Sequence, residues 1–153
     1  MESSSTTQHH QEPQILLENI ILIETSLKRL PSIEIKDITK VKQDLSFNLI
    51  NTDFLQPKFS VTLEVTLKIE YETNTLIEIK VANAGSFAKN GNFLDQNLLE
   101  FVNVNAPALI FPFIRETISS LSQKAMVGPI LLQPINFIQM YKESQEKKNN
   151  PDV

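Results

Sequence analysis

The sequence predicts an α+β fold, an antiparallel sheet with helices on one face. Three observations lead there. Phe59 to Tyr71 alternates strictly, with apolar residues at every odd position and polar ones between, the mark of a strand with one wet face. Strand-like segments fill the first half of the chain and helix-like ones the last third, so the two classes are segregated rather than alternating. Finally, Gly128-Pro129 separates a long helical pattern from a shorter one.

Taken in order, residues 1–13 (MESSSTTQHHQEP) are polar, without an apolar anchor, and read as a disordered tail. Ile15 to Leu30 centres on the β-prone run Ile20-Ile21-Leu22-Ile23 and reads as one long strand ending at Pro31. Ile33 to Lys40 connects it to a second strand, where Leu45, Phe47 and Leu49 alternate with Ser46, Asn48 and Ile50. Asn51 to Pro57 is turn-rich. After the strand Phe59–Tyr71, Thr73-Asn74 is expected to turn a hairpin into Leu76–Ala82, with Ile77, Ile79 and Val81 inward and Glu78 and Lys80 outward. This return strand can extend to Phe87. Lys89 to Asn92 reads as a loop and Phe93 to Val104 as a short helix.

In the long helix, Ile110, Ile114, Ile118, Leu121 and Ala125 recur at spacings of four and three, one face of a 3.6-residue period. Pro107 and Pro112 suit a first turn; if the helix begins nearer Ala106, Pro112 lies inside it and kinks it. Arg115-Glu116 is the one charged pair placed to be buried, and its plain reading is an ion pair at a packing surface. Asn136 is in position to cap a final helix, with Gln139 at capping-box spacing. There Phe137, Met140 and Tyr141 share a face. That face either packs into the core or forms a surface that takes apolar peptide segments. Glu143 and Lys147, four apart, support the helix weakly. Residues 14–145 are read as one domain and 146–153 as a flexible, charged tail.

At 153 residues the chain is long enough for a single core. Its 14 basic and 18 acidic residues leave a net charge of −4, which argues against nucleic acid as the main partner. With no cysteine there is no disulfide framework, thiol nucleophile or thiolate metal site. Apolar runs are short and the N-terminus is not a secretory signal, so the expectation is a soluble, cytoplasmic protein without membrane insertion. Nor is a catalytic constellation visible. The only histidines, His9 and His10, lie in the tail, and three glycines build no phosphate loop. The expectation is a protein that is not an enzyme and carries neither cofactor nor metal.

The run Ala106-Pro107-Ala108-Leu109-Ile110-Phe111-Pro112-Phe113 with Arg115-Glu116, followed by Lys124, Pro129, a leucine pair, Pro134 and Ile135-Asn136-Phe137, resembles the SecB molecular chaperones. The strand Glu78 to Phe87, ending Ala84-Gly85-Ser86-Phe87, resembles the corresponding SecB strand. This resemblance implies a four-stranded antiparallel sheet with a long helix and a short C-terminal helix. It also implies a homotetramer (a dimer of dimers) and an ATP-independent holdase that keeps unfolded polypeptides from folding, export members passing preproteins to SecA. Carried over by position, it puts Leu45, Phe47 and Leu49 on one wall of a client groove, with Phe137, Met140 and Tyr141 opposite. It assigns Ile110, Ile114, Arg115, Ile118 and Leu121 to the helix between dimers, and Glu24, Lys28, Glu78 and Lys80 to the sheet face that would meet SecA. Lys28 and Lys80 stand where the family has Glu, which opposes an acidic docking face. A SecB-like chaperone dedicated to one client, such as an antitoxin, therefore stays open. So does a non-chaperone oligomeric scaffold that binds one folded partner, and so does a carrier of small apolar ligands.

Overall fold

The computed structural model describes residues 12–125 and 127–150, which leaves His9, His10 and most of the expected N-terminal tail outside the described residues. Four strands form one antiparallel sheet: β1 (Gln14–Arg29), β2 (Val41–Asn51), β3 (Lys58–Tyr71) and β4 (Asn74–Asn90). Their order across the sheet is β1-β4-β3-β2. The two N-terminal strands are thus its edges, and the segment from Leu30 to Lys40 crosses from one edge to the other. Tyr71 pins this crossover: its buried phenol oxygen accepts hydrogen bonds from the backbone N–H groups of Lys36 (3.1 Å) and Asp37 (3.3 Å).

The alternation of β3 translates directly into two faces. Val61, Val65 and Leu67 are fully buried on the inner face, and Val81 and Ile79, the register partners of Val65 and Leu67 on β4, join them. β4 is longer than its alternation indicated. It continues through Ala82, Asn83, Ala84 and Gly85, where buried small residues hide the period, and takes in Lys89 and Asn90, which were expected to loop. The hairpin turn is Glu72-Thr73, one residue earlier than expected, with Glu72 at φ 54°. β1 has register irregularities between Leu17 and Asn19 and between Leu22 and Glu24. On this edge strand Leu16, Leu17, Ile21, Leu22 and Ile23 are all exposed.

The helical part differs most from the expectation. The segment read as a separate helix over Phe93–Val104 runs without a break into the long helix. α1 (Asp95–Glu100) passes through a π-helical turn (Phe101–Asn105) into α2 (Ala106–Lys124). Pro107 is therefore at the second position of α2, and Pro112 lies inside it. By length and composition alone the helix Asp95–Lys124 is long and apolar enough to cross a bilayer, which the short apolar runs did not suggest; 44% of its apolar window is buried within the fold.

Ile110, Ile114 and Ile118 face the sheet and are fully buried. The period read from the sequence is correct, but the face meets the chain's own sheet. These three residues cannot contact another copy, and only Arg115 and Leu121 of the five helix residues assigned to an oligomer surface remain partly exposed. The outer face of α2 carries Leu109 (45% exposed) and Phe113 (51%) instead.

The expected Arg115–Glu116 ion pair is absent among the described residues. Arg115 Nε donates to the Leu132 carbonyl at 2.8 Å, which ties α2 to the coil that follows it. The fully buried Ser122 is a second tie: its hydroxyl donates to the Ser119 carbonyl and accepts from the N–H of Ile130, both at 2.8 Å. Gly128 takes φ 77°, as a chain reversal after a helix requires. The last helix, α3, spans Phe137–Asn149 and so reaches four residues into the segment expected to be a flexible tail. Asn136 caps it, its side-chain oxygen accepting from Gln139 N–H at 3.0 Å. The reciprocal half of a capping box does not form, because the Gln139 side chain donates to Glu143 (3.1 Å) instead.

Candidate functional site

Between β2 and α3 lies a cavity of about 160 Å³ lined by Phe47, Leu49, Leu63, Asn103, Pro107, Phe137, Met140, Tyr141 and Ser144. Each wall has a local cause. Strand alternation puts Phe47 and Leu49 on the inner face of β2, and the register sets Leu49 against Leu63. Helical spacing puts Phe137, Met140, Tyr141 and Ser144 on one side of α3. The floor comes from the π turn and the proline that follows it. Five of the six residues expected in a groove are thus brought together. Leu45, the sixth, packs against the core beside the cavity without lining it.

Two of the lining rings, Phe47 and Phe137, belong to an aromatic trio completed by Phe111. Phe47, Phe111 and Phe137 pair with one another at centroid distances of 6.1, 6.3 and 5.8 Å in tilted and edge-on geometries, the arrangements that ring quadrupoles favour. The trio joins β2, α2 and α3. Phe137 is therefore a core residue as well as a wall, at 7% exposure, whereas Met140 is 37% exposed and Tyr141 half-buried. Sequence reasoning missed Leu63, Asn103, Pro107, Ser144 and Phe111. Leu63 was recoverable from its place opposite Leu49. Asn103 and Pro107 were not, since nothing in the pattern announced a π turn joining two helices.

Chemically the cavity is an apolar cleft with few polar groups. It can bury side chains of an extended segment, each anchor contributing roughly 1.5–3 kcal/mol. Among the described residues no group of three or more His, Cys, Asp or Glu is placed to hold a metal.

The outer sheet face brings the charged residues into registered pairs. Lys28 lies opposite Glu78, and Glu78 opposite Lys68. Lys80 sits between Glu24 (3.6 Å) and Glu64 (3.4 Å), and these carboxylates, Glu24 first, hold its ammonium above the usual lysine range. A raised lysine favours the charged form, so this contribution to folding is complete at neutral pH and is lost only as pH climbs through the raised value. Lys80 is thus neutralised in place, which the sequence did not show.

Residues 8–148 match the family model described as preprotein translocase subunit SecB. A protein-export protein SecB of Marinomonas is 31% identical over 138 residues, 89% of this chain and 86% of the relative. One of Nitrobacter hamburgensis is 30% identical over 104 residues, 68% of this chain, and the chain spans 65% of that relative's length. One of Methylobacillus flagellatus is 41% identical over 92 residues, 58% of this chain and 57% of the relative. In three dimensions the chain is similar to the SecB-like chaperone of Mycobacterium tuberculosis solved with an antitoxin peptide. That match has a TM-score of 0.67 and 16% identity, covering 79% of this chain and 90% of that one, and it establishes the shared fold.

The shared role of Phe137 yields a stability test. Phe137→Ala should lower the unfolding free energy by about 3–5 kcal/mol, because it empties a packed aromatic site. Met140→Ala should cost less than about 1 kcal/mol. Urea melts at one fixed protein concentration measure both, and equal costs would mean that Phe137 is not a core residue.

Proposed function

The chain belongs to the SecB family, and from that premise we propose that it is an ATP-independent holdase that captures unfolded polypeptides in the groove between β2 and α3. Its clients would be preproteins destined for SecA-dependent export, and it would work in the cytoplasm as a homotetramer, without cofactor, metal or a catalytic step. The observation that carries this is the groove itself, apolar, open and partly lined by the exposed Met140 and half-buried Tyr141. Thioether and aromatic walls repack around varied side chains, which suits a binder of many sequences. A few anchors, less the costs of association and ordering, give weak binding per site, roughly micromolar. Repeating the groove in an assembly lets one long client engage several copies, and avidity supplies the rest.

Two surfaces support assembly. Edge strand β1 exposes Leu16, Ile21, Leu22 and Ile23, and the outer face of α2 exposes Leu109 and Phe113. An apolar strand edge and an apolar helix face are both costly to leave in water. Two independent surfaces on one chain suit a dimer of dimers.

A second reading, a chaperone dedicated to one client, is favoured by the outer sheet face. Lys28 and Lys80 lie there among Glu24, Glu64 and Glu78, so the face is mixed rather than acidic. Electrostatic steering of a basic partner would be correspondingly weaker.

Three experiments test these points. A slow-refolding protein diluted from denaturant into stoichiometric chaperone, without ATP, should refold with a clear delay. Met140→Ser with Tyr141→Ser should shorten that delay while leaving the melting curve near wild type. An unchanged refolding rate at several-fold excess of wild type would count against a general holdase. For assembly, light scattering should give four chains per particle for wild type and fewer for Phe113→Glu; a wild-type monomer would defeat the tetramer. For the partner, Lys28→Glu with Lys80→Glu should tighten binding to a purified SecA in low-salt titration. Unchanged affinity would remove the sheet face from consideration.

A further inference from the structure

The groove floor carries one polar side chain that the apolar description leaves unexplained. Asn103 sits in the π-helical turn Phe101–Asn105 and lines the cavity beside Pro107 and Phe137. Its Nδ2 donates to the Leu99 carbonyl at 2.7 Å. A carbonyl only accepts, so that bond fixes which end of the amide is nitrogen. The oxygen, Oδ1, is therefore the end left to accept, on a half-buried side chain at the cavity wall. The other polar groups on the walls differ from it. Ser144 commits its proton to the Tyr141 carbonyl at 2.7 Å, and the Tyr141 phenol brings a proton of its own. Both hydroxyls can accept as well as donate, so among the lining residues Asn103 Oδ1 is the side-chain oxygen that can only accept.

Resting on the holdase reading, we infer that Asn103 Oδ1 accepts a hydrogen bond from a backbone N–H of the bound client and so orients an extended segment along the groove. An unfolded chain cannot bring side chains into an apolar cleft without bringing its peptide groups. A peptide N–H desolvated there without an acceptor weakens binding. Every residue except proline offers that N–H, so an acceptor on the floor adds affinity without selecting sequence. The π turn serves this arrangement. It carries Asn103 to the cavity, and the Leu99 bond holds the amide in one orientation. π turns recur at binding sites for this reason of placement.

The test uses full-length protein and a fluorescent, unstructured peptide of leucine, serine and lysine without regular alternation. Versions of the peptide each have one backbone amide N-methylated, which removes one donor at a time. Anisotropy titration of wild type should show one methylation position that weakens binding about fivefold to tenfold. Asn103→Ala should bind the unmethylated peptide weaker by a similar factor and should be indifferent to methylation at that position, the signature of a coupled pair. Asn103→Asp keeps an acceptor but gives up the bond to Leu99, and should retain the methylation sensitivity. If Asp and Ala behave alike, the residue only holds the π turn and the proposal is overturned. Wild-type affinity for the unmethylated peptide in Asn103→Ala, with binding lost in Met140→Ser/Tyr141→Ser, would overturn this proposal and leave the groove standing. Absence of binding by wild type would remove the groove reading and this proposal together.

Discussion

The inner face of the sheet must be covered, and most of the molecule follows from that requirement. β3 and β4 present Val61, Val65, Leu67, Ile79 and Val81 to one side, all fully buried. The cover is a single continuous helix from Asp95 to Lys124 rather than two separate ones. Ile110, Ile114 and Ile118 lie on the sheet, so the residues left on the other side of α2 include Leu109 and Phe113, which nothing among the described residues covers. Gly85 belongs to the same constraint. A Cβ there would stand 2.9 Å from the Phe87 ring and 3.2 Å from the Ile110 side chain, so its absence lets the helix lie close.

The groove is a by-product of how that cover ends. α2 stops at Lys124, the coil is tied back by Arg115 and Ser122, and α3 returns to place Phe137 against Phe47 and Phe111. The inner half of the groove is thus made of residues that also hold three elements together. The outer half, Met140 and Tyr141, has no such duty. The inner wall of the groove is therefore bound up with folding stability, and only the outer residues are free to vary without disturbing it. On the opposite side of the sheet Lys80 shows a comparable economy, since two carboxylates neutralise a charge that would otherwise set the sign of that face.

Much of this was legible in the residues, and the misses have physical causes. The alternation of β3 was decisive because one of its faces is buried and the other is not. β4 was read short because Ala82 and Ala84 point outward yet are buried among larger cross-strand neighbours, such as Glu24 and Glu64 beside Ala82. The helical period of Ile110, Ile114 and Ile118 was read correctly and its destination wrongly. Periodicity states which residues share a face and is silent about what that face meets. Five of six groove residues were legible through family likeness and spacing. Asn103 was not, because a π turn shifts the register by one residue with no sequence mark, and the sequence read Arg115 as a charge seeking a charge when its partner is a carbonyl.

The order of strands across the sheet also bears on synthesis at the ribosome. β1 and β2 emerge first, yet each pairs only with a strand made later, β1 with β4 and β2 with β3. Until Asn90 has left the exit tunnel, the run from Ile15 to Ile23 has no partner strand and no core to join, and local contacts cannot substitute for these distant ones. The nascent chain therefore passes through a stage in which it displays an uncovered apolar segment. For the holdase proposed above, that unfinished chain would itself be a client of a mature copy.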